Sequence, residues 1–153
     1  MNSIFLALEQ LQTQLSQALA ATPGLRHFDV SFPLNDAFDP LAWLGEQQCY
    51  PQFYWQQRNG DEELAALGAV TQFSSLALAS QFLRAEHAPK ETRICGLNAF
   101  SPEQGSLFLP RLLWRRTAGN ATLRLQLWSD SSLQDDACTA LELLQQLRPA
   151  RAI

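Results

Sequence analysis

YPQFYWQQRNGDEELAALGAV, from Tyr50 to Val70, places four aromatic rings ahead of an Asn-Gly pair and a small, apolar run behind it. Asn59-Gly60 signals a two-residue type I′ turn, because both central positions need positive φ, which Asn and Gly tolerate best. The turn fixes a register. Arg58 falls opposite Asp61, Gln57 opposite Glu62 and Gln56 opposite Glu63; Trp55 then meets Leu64, Tyr54 meets Ala65 and Phe53 meets Ala66. Side chains alternate along a strand, so Phe53, Trp55, Leu64 and Ala66 share one face while Tyr54, Ala65 and Leu67 share the other. Rings divided between two faces do not make one stacking platform for a ligand. They read as sheet scaffold, with each cross-strand pair adding about 0.2–1 kcal/mol.

The rest of the chain supplies partners for this hairpin. Between Ser3 and Ala21, Phe5, Leu8, Leu11, Leu15 and Leu19 recur at helical spacing, and Pro23-Gly24 ends the helix. Leu25–Phe32 alternates as a strand. Asp39 caps a short helix whose first turn holds Pro40 and which carries Leu41, Trp43 and Leu44. After the hairpin, Ser74 or Ser75 caps a helix with Leu78, Phe82 and Leu83 on its buried side, ending near His87. Thr92–Phe100 and Ser106–Arg116 suit strands, although Pro110 lacks a donor and implies an edge or a bulge. In Ala121–Trp128, Leu123, Leu125 and Leu127 point inward while Thr122, Arg124 and Gln126 point out. A final helix starts with Ser131 and Gln134 as a capping box, has Asp135 and Asp136 at its positive end, and buries Ala137, Leu141, Leu144 and Leu147. This order predicts an α+β fold, an antiparallel sheet with flanking helices.

Composition narrows the function classes. The chain has 153 residues, 46% hydrophobic and 17% charged, enough for one cored domain. Its net charge of −4, with dispersed bases, argues against nucleic-acid binding. Cys49, Cys95 and Cys138 form no CxxC pair and read as reduced thiols of a cytoplasmic protein. The N-terminal segment, interrupted by Glu9, Gln10, Gln12 and Gln14, is neither a signal peptide nor a membrane span, so no membrane partner is expected.

No catalytic set emerges from the residues. His27 and His87 have no Cys, Asp or second His at ligand spacing, and no G-x-S-x-G elbow is present. Cys95 lies in an apolar strand as a small core residue. Gly96, Gly105 and Gly119 are isolated and do not form a phosphate cradle. Asp135 and Asp136 suit acid–base work in principle, but the helix dipole already accounts for them. Catalytic, cofactor-binding and metal residues are each expected to be none.

Longer motifs carry a resemblance. ATPGLRHFDVSFPLNDAFDPLAWL, YPQFYWQQRNGDEE, RICGLNAFSPEQGSLFLPRLLWRR and ATLRLQLWSDSSLQDDA together resemble the N-terminal part of menaquinone-specific isochorismate synthases, members of the chorismate-utilising group. A Gly-x-x-x-Phe turn, Gly96 to Phe100, before Leu109-Pro110-Arg111 belongs to the wider group's pattern. The resemblance implies the N-terminal part of the chorismate-utilising fold, in which two antiparallel sheets stack. It implies residues 1–148 as the N-terminal domain, 149–153 as a tail, and an absent C-terminal catalytic domain. That domain would be the partner and would bring chorismate, Mg²⁺, a lysine base, a glutamate acid and the metal-holding glutamates. Lys90, the single lysine, does not correspond to the base. The "LLES"-type motif of tryptophan-sensing relatives is missing. The expected role is scaffold without catalytic residues in this chain, inactive alone, with self-association through exposed edges. A freestanding binding or regulatory module, or an inactive remnant, is the alternative.

Overall fold

The computed structural model describes residues 3–17, 24–33, 39–47, 51–58, 62–88, 92–98, 105–117, 120–129 and 133–147. The elements are α1 (Ser3–Gln17), β1 (Gly24–Pro33), α2 (Pro40–Gly45), β2 (Gln52–Gln56), β3 (Glu62–Phe73), α3 (Leu76–Ala85), β4 (Cys95–Asn98), β5 (Gly105–Thr117), β6 (Asn120–Ser129) and α4 (Leu133–Gln146). The six strands form one antiparallel sheet in the order β1-β6-β5-β3-β2, with β4 attached to β5. This is the α+β architecture expected from the sequence.

The hairpin register is the expected one. Trp55 pairs with Leu64, Tyr54 with Ala65 and Phe53 with Ala66. Beyond the ladder, Gln57 N–H donates to the Glu62 carbonyl at 2.8 Å. Asn59, Gly60 and Asp61 lie outside the described residues. The two faces separate as the alternation requires. Ala65, Leu67 and Tyr54 join the main core with Leu8, Leu11 and Leu15 of α1, Trp43 and Leu44 of α2, and Leu123, Leu125 and Leu127 of β6. Leu64, Ala66 and Phe53 instead join Cys95, Phe108 and Leu113 in a second, smaller cluster. Full burial of each leucine contributes about 1.5–3 kcal/mol, so the main core dominates stability.

Local signals explain the helix ends. Asp39 caps α2 by accepting from Leu41 N–H at 3.0 Å and Ala42 N–H at 3.3 Å. Ser75, rather than Ser74, caps α3 through Leu78 N–H at 3.2 Å. Leu78 itself is 47% exposed, contrary to expectation. Ala79 is the buried residue of α3, and Phe82 packs its ring against Phe73 and Trp128 at 5.4 and 5.3 Å. The Ser131 cap, the Gln134 side chain and the Phe5 and Leu19 side chains lie outside the described residues.

Pro110 departs from an edge assignment. It sits fully buried in β5, which β3 covers along one border. Along the other border β4 pairs with residues 105–108 and β6 pairs with 112–117. Pro110 and Arg111 fall in the gap between those two ladders, where no backbone donor is required. A register irregularity between Ala69 and Thr71 lies across from it. The expected bulge is therefore present, inside the sheet.

Candidate functional site

The gap beside Pro110 is closed by side chains. Gln126, expected to point out, is buried and donates Nε2 to the Pro110 carbonyl at 2.8 Å. Arg111, only 4% exposed, donates Nη1 to the Gln126 carbonyl at 3.0 Å. Its guanidinium also holds Asp136 bidentately, at 2.6 and 2.8 Å. Asp136 in turn accepts from Trp128 N–H at 2.7 Å. The helix dipole alone does not account for this aspartate. It fastens the first turn of α4 to two strands through charge-assisted bonds. Asp135 is exposed.

The second sheet face carries charge as well as apolar surface. Glu62 accepts from Arg115 at 2.7 and 3.1 Å and from Arg93 at 3.3 Å. Asp29 holds Arg124 bidentately at 2.7 and 2.9 Å, and the Ser31 and Thr122 hydroxyls meet at 3.2 Å. Register places Asp29, Arg124 and Leu113 in one row across β1, β6 and β5, with Ser31, Thr122 and Arg115 in the next. These six residues line a cleft of 270 Å³. Beside it stand Leu64 and, further along the face, Trp55, which is 40% exposed.

At the same end of β3, alternation sends Glu63 to the opposite face, where it accepts from Arg116 Nε at 3.0 Å and from the Tyr54 hydroxyl. Burial, reinforced by the Glu63 hydrogen bond, pushes the Tyr54 phenol up to about 12. Burial likewise pushes the Cys95 thiol up to about 12, against the pull of the Arg93 charge. A thiol so held is no nucleophile near neutrality. Cys138 is exposed, and Cys49 lies outside the described residues.

The residues tested for chemistry remain dispersed. His27 Nε2 is 3.9 Å from Asp29, and His87 follows α3 with φ of 53°. Lys90, Gly119 and Phe100 lie outside the described residues. Among the described residues no three His, Cys, Asp or Glu side chains converge as a donor set. No helix among the described residues is long and apolar enough to cross a membrane. Sequence reading missed the Glu62–Arg115 and Asp136–Arg111 contacts. Only local turn signals fix register, and these pairs join strands and helices distant in sequence.

Comparison with known proteins places this arrangement. The chain is 59% identical over 147 residues to isochorismate synthase MenF of Escherichia coli, covering 96% of this chain and 34% of that protein. It is homologous to isochorismate synthases. The Pasteurella multocida MenF is 32% identical over 150 residues, covering 95% of this chain and 33% of that protein. A solved structure of the menaquinone-specific enzyme from Escherichia coli superimposes with a TM-score of 0.94 and 56% identity, over 99% of this chain and 36% of that one. The chain thus spans about a third of the length of the relatives it matches. No protein-family profile matches it.

Proposed function

We propose that this chain is the N-terminal scaffold part of an isochorismate synthase, the enzyme that converts chorismate to isochorismate for menaquinone biosynthesis. Residues 1–148 form its domain, and the reactive groups and Mg²⁺ ligands reside on polypeptide outside these 153 residues. The near-complete match to one third of a solved enzyme carries this reading. The chemistry needs an activated water and a protonated leaving group, hence a positioned base and acid. Arg93, Arg111, Arg115, Arg116 and Arg124 are bound instead to Glu62, Asp136, Glu63 and Asp29 in cross-strand and helix-to-strand contacts. The second sheet face, with Phe53, Trp55, Leu64 and Leu113, is the surface that packs against the remainder of the enzyme. The free thiols of Cys95 and Cys138 accord with a cytoplasmic location.

Incubating the purified chain with chorismate and Mg²⁺ tests the assignment. The expected outcome is no isochorismate above the protein-free blank. Turnover by material free of host enzyme overturns it.

A further inference from the structure

We draw no further inference here: the strongest candidate, the outer edge of β2 (Gln52–Gln56) at the end of the sheet, carries none because nothing in the structure shows what covers it.

Discussion

Removal of the Asp136 carboxylate is the sharpest perturbation of this fold. Asp136→Ala leaves Arg111 at 4% exposure without its anion and Trp128 N–H without its acceptor. Breaking one partner of a buried pair costs about 3–5 kcal/mol, because the remaining charge stays desolvated. At roughly 2–4 °C per kcal/mol for a chain of this size, the melting temperature falls by about 6–20 °C. Urea unfolding followed by tryptophan fluorescence and circular dichroism measures the loss. Arg111→Met combined with Asp136→Leu should recover most of it, since a well-packed apolar pair often equals a buried ion pair in stability. Gln126 keeps its own bond to the Pro110 carbonyl in both variants, so the strand gap remains bridged. An Asp136→Ala loss below about 1 kcal/mol, the range of exposed surface pairs, refutes the clamp. So does a double variant less stable than either single change, since coupled partners must not add.

Three further outcomes follow from the same geometry. Gly68 has φ of 72°, and an added Cβ would stand 2.9 Å from Leu143 Cδ1 and 3.3 Å from Arg111 Cβ; Gly68→Ala should cost about 1–3 kcal/mol in urea unfolding. The Cys95 thiol is raised in the folded state from 9.0 to about 12, so its contribution is whole below pH 9 and is lost as pH climbs toward 12; Cys95→Ala should flatten that alkaline decline, and native Cys95 should resist alkylation while exposed Cys138 reacts. Trp55 is exposed on the second sheet face, so sedimentation velocity should show concentration-dependent association that Trp55→Gln reduces; a clean monomer at high concentration contradicts the expected self-association.

The Asn59-Gly60 turn, the alternation of Leu123, Leu125 and Leu127, and the Asp39-Pro40 cap were legible because each acts within a few residues. Local dihedral preference and side-chain period are properties of sequence alone. They determine which faces Tyr54 and Trp55 occupy without any tertiary contact. The structure decided what those signals leave open. It placed β4 and β6 on one border of β5, which turned Pro110 from an edge residue into the lining of an internal gap. That gap drew Gln126 inward and gave Asp136 a cation rather than a dipole to meet. It also set Glu62 between Arg93 and Arg115, which come from strand and loop positions far apart in the chain. The physical reason is that turns and helix caps are fixed by nearest-neighbour sterics and hydrogen bonding. Which strands meet depends on burying all apolar faces at once, and buried ion pairs form only where that packing leaves room for them.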